Sequence, residues 1–455
     1  MNHYNTVIVG GGTGGYEAAI RCSQLGMSTA LVEKNKMGGT CLNIGCIPTK
    51  AFAHSSDVLR NLKISRKLGI DSGELHIDIA KLVRNKDKIV KNLVAGVEYL
   101  MKKNNIAVYR GEAVFLNKHE LAVNGEKLAF DNLIIATGSS GNMPPVTGMD
   151  LDGIMTSTEI LSIDHIPESL LIIGGGVIGC EIACIFQEFG SKVTIVGRRD
   201  HLLPGIDRDV AETLAYTMTC AGIRVITGAA VKGVEKKNGV FCVKADTAQG
   251  EISASASELM VSAGRVGNSQ GLKPLDLEMN KTYIRVDEHM RTNIPNIFAV
   301  GDITGKFQLA HVAAAQGIAA AENIAGLDSV INYNAIPSCI FTAPEVASVG
   351  ITEERAKTEQ IPVTIGKFPM AANGRAMTMY ETDGFTKLVC KKDTGKVIGA
   401  SVIGAHATEV IGELTYIVTV GGTLDDIKKT VHGHPTIYET IHEAAHVALG
   451  ESMQI

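Results

Sequence analysis

No apolar run in this chain reaches the roughly 18 residues that a membrane-spanning helix needs, because Gly or a charged residue interrupts each candidate. That argues against any association with a membrane. Positive charge is not in excess either. Lys and Arg number 43 against 48 Asp and Glu, giving a net charge of -5 and a pI near 6.2. Such a balance supplies no general field for nucleic acid or acidic lipid, and local Lys/Arg clusters read as solvated faces. There is no repeat array and no low-complexity tract, which excludes solenoids. The strand pattern from Tyr4 to Val9 leaves no length ahead of it for a signal segment, so the expected location is the cytoplasm. Nine cysteines, an odd number, do not make a secreted disulfide framework; most of them read as small buried hydrophobes.

What is present is ample apolar material and a repeated motif. With 455 residues, 45% of them hydrophobic, the chain is expected to fold as about three or four compact units. TVIVGGGTGGYEAAI, near the start, and LLIIGGGVIGCEIACIF, from Leu170, each read as strand, glycine turn and helix. Both match G-x-G-x-x-G, through Gly10, Gly12 and Gly15 and through Gly174, Gly176 and Gly179. Such glycines allow a tight turn and bring backbone N–H groups to a pyrophosphate at the positive end of a helix. One motif alone is weak, but two copies with flanking βαβ patterns imply two nucleotide-binding units.

The two units end their second strands differently. Glu33 lies 23 residues after Gly10, and Gly197 lies 23 residues after Gly174. A carboxylate there accepts hydrogen bonds from ribose hydroxyls, which suits an adenosine with a free 2′-hydroxyl, as in FAD. Gly197, followed by Arg198 and Arg199, removes repulsion toward a 2′-phosphate and offers bidentate donors, which points toward NADP(H). The plainer alternative is that both arginines are simply exposed and NAD(H) binds with one ribose contact fewer.

Between the motifs, Cys41 and Cys46 fall at the expected start of a helix. A disulfide closing so short a loop gains about 2 kcal/mol of denatured-state entropy, against nearly 5 for a loop of about 100 residues. Stapling is therefore a poor explanation, whereas a close pair at a helix N-terminus favours the thiolate needed for disulfide exchange. The C-x4-C spacing lacks a second matched pair, so no metal site is expected. Near the other end a helix is expected over Thr440 to Leu449; His434 precedes Glu439 by five residues, and with Pro435 able to start a helix, loop and first turn can bring the two together. A His with a carboxylate partner suits proton transfer; His432, His442 and His446 read as ordinary.

GGTCLNIGCIPTK, from Gly38, resembles the active-site stretch of the dihydrolipoamide dehydrogenases, within the class I pyridine nucleotide-disulfide oxidoreductases. The resemblance spans nearly the whole chain, through RGEA at Arg110, IIATGSS at Ile134, SAGR at Ser262, TNIPNIFAVGD at Thr292 and HGHPTIYE at His432. It implies an α/β fold with two Rossmann-like dinucleotide-binding domains and a C-terminal α+β dimerisation domain. The expected limits are 1–146 for FAD, 147–265 for NAD(P), 266–336 for a central region completing the FAD site and 337–455 for the interface domain.

By the same resemblance Cys41 is the interchange thiol and Cys46 the thiolate stacked on the flavin, together a redox-active disulfide. Lys50 reaches the flavin and pairs with Glu181. Asp302, Gly111, Thr137, Gly138 and Ala310 contact FAD, and Gly264 belongs to the NAD(P) site. Val177 stands where glutathione reductases have a gating tyrosine. His434 and Glu439 serve the other subunit of a homodimer. The implied partner is a lipoyl-bearing protein of a 2-oxoacid dehydrogenase, glycine cleavage or acetoin system. Rival readings are a glutathione- or mercuric-reductase-like enzyme, though a terminal cysteine pair is absent, and a mainly docking subunit. The departures are Gly433, where many members have Ala, and Gly197.

Overall fold

A computed structural model describes residues 2–71 and 73–455. The first motif opens a mainly parallel sheet. Asn2–Val9 lies between Thr29–Glu33 and Glu126–Ile135, with Ala107–Arg110 beyond Thr29–Glu33, all parallel. Val7 to Val9 and all of Thr29–Glu33 are buried, as expected of β-rich runs covered on both faces. Much later in the chain, Ile297–Ala299 joins this sheet beside Glu126–Ile135. The helix Ala310–Ile324 then packs on Thr13–Gln24, the helix of the first motif.

The second motif repeats the plan. Arg224–Ile226, Lys192–Val196, Ser169–Ile173, Glu258–Val261 and Ile154–Met155 form a parallel sheet in that order. A three-stranded antiparallel sheet, Ala230–Lys237, Val240–Thr247 and Gly250–Ala256, is inserted before its last central strand; the sequence reading did not separate it. From Ser338 an antiparallel five-stranded sheet follows, carrying the helices Ala407–Val420 and Glu439–Leu449. Its strands include Glu345–Gly350, Phe385–Lys391 and Val397–Gly404.

One local expectation needs correction. Pro435 does not start a helix: a turn intervenes, and the helix begins at Glu439, whose carboxylate reaches back to the N–H of Thr436 at 2.9 Å. Of the seven cysteines outside the Cys41/Cys46 pair, Cys22, Cys180, Cys184 and Cys390 are buried, but Cys242 and Cys339 are half-buried and Cys220 is exposed. One lysine lies inside the fold. Lys387 is 1% exposed, with its Nζ 3.1 Å from Asp207, 3.2 Å from Asp209 and 2.8 Å from Glu353. Ser401 donates to the other Asp207 oxygen at 2.6 Å. This charged knot joins the second nucleotide unit to the C-terminal sheet. Burial opposes the Lys387 charge, but the three carboxylates outweigh it and raise its pKa.

Candidate functional site

Both glycine loops open onto a single cleft of about 1450 Å³. In each, the first and third glycines are demanded by the protein itself. A Cβ on Gly10 would stand 2.2 Å from the Ala136 carbonyl oxygen, and one on Gly15 would stand 1.8 Å from that of Gly10. On Gly174 and Gly179 the distances are 2.4 Å to Ser262 O and 2.0 Å to Gly174 O. The middle glycines differ. Gly12 has no atom nearer than 3.8 Å to such a Cβ, and Gly176 has none within 4 Å. Both face the cleft, so a side chain there would fill the cradle and not the core. Each loop ends in a helix, Thr13–Gln24 or Val177–Glu188, whose N-terminus has no side-chain cap. Open N–H groups above a cradle that no side chain fills fit a pyrophosphate, and the donor chemistry therefore suits FAD in one loop and NAD(P) in the other.

The second-strand ends diverge as expected from the sequence. Glu33 is buried, and its two carboxylate oxygens accept from the N–H groups of Gly11 and Asn35, both at 2.6 Å. Gly111 lies beside it, donating its N–H to the Glu33 carbonyl at 3.0 Å. Gly197, Arg198 and Arg199 all line the cleft. Arg198 and Arg199 are exposed, and among the described residues no side-chain partner holds either guanidinium; the neighbouring Asp200 pairs instead with Arg208 at 2.7 Å.

Cys41 lies in the short helix Gly39–Ile44, and Cys46 is the first residue of Cys46–Ile64. Both stand as thiols and both face the cleft. The hydrogen bond from Cys41, reinforced by the Lys50 ammonium and against the effect of burial, draws the Cys46 thiol down to about 7. Cys41, as the donor and itself buried, is pushed far above the ordinary thiol range. The pair is thus asymmetric, with Cys46 the better thiolate and leaving group.

Lys50 is one helical turn beyond Cys46. Its Nζ donates to both oxygens of Glu181, at 2.9 and 3.0 Å, and stands 4.5 Å from the centre of the Phe341 ring. The buried Glu181 also accepts from the Phe341 N–H at 2.9 Å. Phe341 was not anticipated, since nothing in its local sequence signals a contact with a lysine so distant in the chain. Nor were Ser139 and Arg265. Ser139 Oγ donates to Asp302, and Arg265 Nε donates to that hydroxyl at 2.7 Å, which holds Asp302 at the cleft wall. Gly138, Val177, Gly264 and Ala310 also line the cleft. Thr137 does not; its hydroxyl donates to the Asn268 carbonyl at 2.8 Å.

His434 and Glu439 are brought together, with Nδ1 and Oε1 2.8 Å apart. Burial raises Glu439, but the Thr436 N–H and His434 outweigh it and leave the carboxyl below its ordinary pKa. His434 is 80% exposed. Neither residue lines the cleft that holds Cys41 and Cys46, so one chain does not bring base and dithiol together.

Residues 4–317 match the family model described as pyridine nucleotide-disulphide oxidoreductase, and residues 336–445 match the dimerisation domain of the same family. A dihydrolipoyl dehydrogenase from Geobacillus stearothermophilus is 42% identical over 458 aligned positions, spanning 99% of this chain and 97% of that protein. Another, from Bacillus subtilis (strain 168), is 39% identical over 470 positions and 99% of each chain. Among solved structures, the copper(II) complex of an HOCl-induced flavoprotein disulfide reductase from Escherichia coli matches with a TM-score of 0.87 at 27% identity, over 98% of this chain and 99% of that one. No described helix is long and apolar enough to cross a membrane.

Proposed function

Because this chain belongs to the pyridine nucleotide-disulphide oxidoreductase family, we propose that it is a dihydrolipoyl dehydrogenase that oxidises protein-bound dihydrolipoamide, with FAD as its prosthetic group and NAD(P)+ as acceptor. The observation that carries this reading is a single cleft lined by the Cys41/Cys46 pair and by both glycine loops. FAD, when bound, carries the electron pair from the dithiol to the nicotinamide.

The protein's own part is thiol–disulfide exchange and proton transfer. With Cys41 and Cys46 joined as a disulfide, His434 accepts a proton from one substrate thiol. The resulting thiolate attacks Cys41 Sγ, and the S–S bond breaks with its electron pair leaving on Cys46, the sulfur whose thiolate is favoured near neutral pH. The second substrate thiol then attacks the substrate sulfur bonded to Cys41, and Cys41 leaves with the proton that His434 returns. His434 takes up the proton of that second thiol as oxidised lipoamide departs, so both substrate protons stay on the protein. Glu439 holds the imidazole in orientation and stabilises its charged form, and the Lys50–Glu181 pair keeps a cation beside Cys46.

The separation of His434 from the dithiol within one chain supports a homodimer in which each subunit supplies the base of the other's site; a cytoplasmic location fits the same reading. The unpaired Arg198 and Arg199 favour NADP+ over NAD+. The protein partner is a lipoyl domain of a 2-oxoacid dehydrogenase, glycine cleavage or acetoin system.

The test is steady-state oxidation of dihydrolipoamide by the flavin-loaded dimer, with NAD+ and NADP+ in parallel. Turnover is expected with a higher kcat/KM for NADP+. No turnover with either, in protein that retains its flavin, overturns the assignment. His434→Gln should lower kcat about 100- to 10,000-fold, the usual worth of a positioned acid–base.

A further inference from the structure

The chemistry above leaves one cluster of metal-ligating side chains unused. His442 and His446 are the first and last residues of the run HEAAH on the helix Glu439–Leu449, and residues four apart share a helix face. Their Nε2 atoms converge to 3.0 Å, with ring centroids 4.6 Å apart and ring planes tilted by 58°. His446 is buried, and the Nδ1 atoms of both rings are buried without a hydrogen-bond partner.

A hydrogen bond between two neutral imidazoles explains this arrangement poorly. It requires opposite tautomers, so one ring would bury an unused Nδ1–H and the other an unused Nδ1 lone pair, a type of group that native interiors seldom leave unsatisfied. A cation between the two Nε2 atoms removes that asymmetry. Both Nε2 lone pairs then point inward and both Nδ1 atoms carry protons. The His442 ring stands against the Ile427 backbone and the proton of His446 faces Glu451, whose Oε2 is 3.8 Å from Nδ1; a carboxylate or carbonyl behind the ring is a common support for a ligating histidine. The Nε2 separation is also close to the value of about 3.3 Å for two nitrogens at 2.0–2.1 Å from a tetrahedral zinc.

We propose that His442 and His446 chelate a borderline divalent cation, zinc or copper(II), through their Nε2 atoms. Among the described residues no group of three metal-ligating side chains converges there, so water completes the coordination. The His432 ring packs edge-on against that of His442, with centroids 5.5 Å apart, but its Nε2 is committed to Glu413 at 2.9 Å. Glu443, the carboxylate within HEAAH, accepts instead from Gln454 at 3.1 Å. The site therefore lacks the general base of a hydrolytic H-E-x-x-H centre and is a binding site only. Glu439, which orients His434, opens the same helix, so the cation would tie the helix behind the base loop to the segment carrying Glu451.

The experiment uses the flavin-loaded dimer with Cys41 and Cys46 oxidised to the disulfide, so that these thiols do not compete. Zn2+ is titrated calorimetrically, and Cu2+ is followed by electron paramagnetic resonance. The wild type should bind one ion per chain and give a copper spectrum with splitting from two nitrogens. His446→Gln, checked for a full complement of flavin as evidence of folding, should bind at least about tenfold more weakly and lose the two-nitrogen pattern. Absence of stoichiometric binding in the wild type, or unchanged affinity and spectrum in His446→Gln, overturns the proposal.

Discussion

The two glycine loops share their steric logic but differ in what meets the ligand beyond the phosphates. In the first, Glu33 closes the strand end with a buried carboxylate committed to two backbone N–H groups. In the second, the same station is an unencumbered glycine followed by two exposed guanidiniums. The turn and the helix N-terminus supply the shared affinity for pyrophosphate, and the end of the next strand sets which nucleotide is preferred. On the proposed reading the first site retains its group and the second exchanges its nucleotide.

The largest expected effect separates the loops by half-reaction. Gly12→Val leaves the fold room for its Cβ but fills the cradle, so the protein should purify without flavin and without activity. Gly176→Val should also abolish turnover, yet keep its flavin and still bleach when dihydrolipoamide is added anaerobically. Retained steady-state activity in either variant would break the comparison.

Next in size is the anchoring of each unit. Lys387→Met leaves Asp207 buried without its cation and should cost about 3–5 kcal/mol in denaturant unfolding. Glu33→Ala removes two charge-assisted hydrogen bonds and should cost about 2–4 kcal/mol, with weaker flavin retention. Gly197→Ala is its counterpart and should change stability by less than about 0.5 kcal/mol, because a Cβ there meets nothing closer than 3.7 Å.

A smaller effect concerns coenzyme choice. Replacing Arg198 and Arg199 together by Ala should raise KM for NADP+ about 10- to 100-fold, the worth of one charge-assisted contact to a phosphate, and leave NAD+ nearly unchanged. Equal effects on both coenzymes would return the arginines to the status of solvated surface. The mildest probe is pH. In the two-thiol form, the Cys46 thiolate should be lost as pH falls through about 7, and thiolate absorbance should follow that titration. In Lys50→Met the transition should move upward, since the ammonium that favours the anion is gone.

Much of this site was legible from the sequence because its parts are local. G-x-G-x-x-G, C-x4-C and His434 with Glu439 each fall within a few residues, where strand, turn and helix geometry decide proximity. The last helix begins at Glu439, one residue from where the sequence pattern put it, and Pro435 lies in the turn before it. A proline suits a first helical turn, but it does not say whether its neighbours prefer a turn, and here Glu439 caps the intervening turn from the helix side. The pairing of Lys50 with Glu181 came only through resemblance; Ser139 and Arg265 lay inside the runs IIATGSS and SAGR without an assigned role, and Phe341 and the Lys387 knot had no local signal at all.

The sequence by itself determined two nucleotide loops, a dithiol at a helix start, an imidazole with its carboxylate, and the difference between Glu33 and Gly197. Tertiary structure alone decided that both loops and the dithiol share one cleft, that Lys387 is buried among three carboxylates, and that His434 stands away from the cysteines of its own chain. The physical reason is range. Backbone geometry and side-chain spacing act over a turn or a strand, whereas burial and charge pairing join segments that meet only when the separate sheets pack.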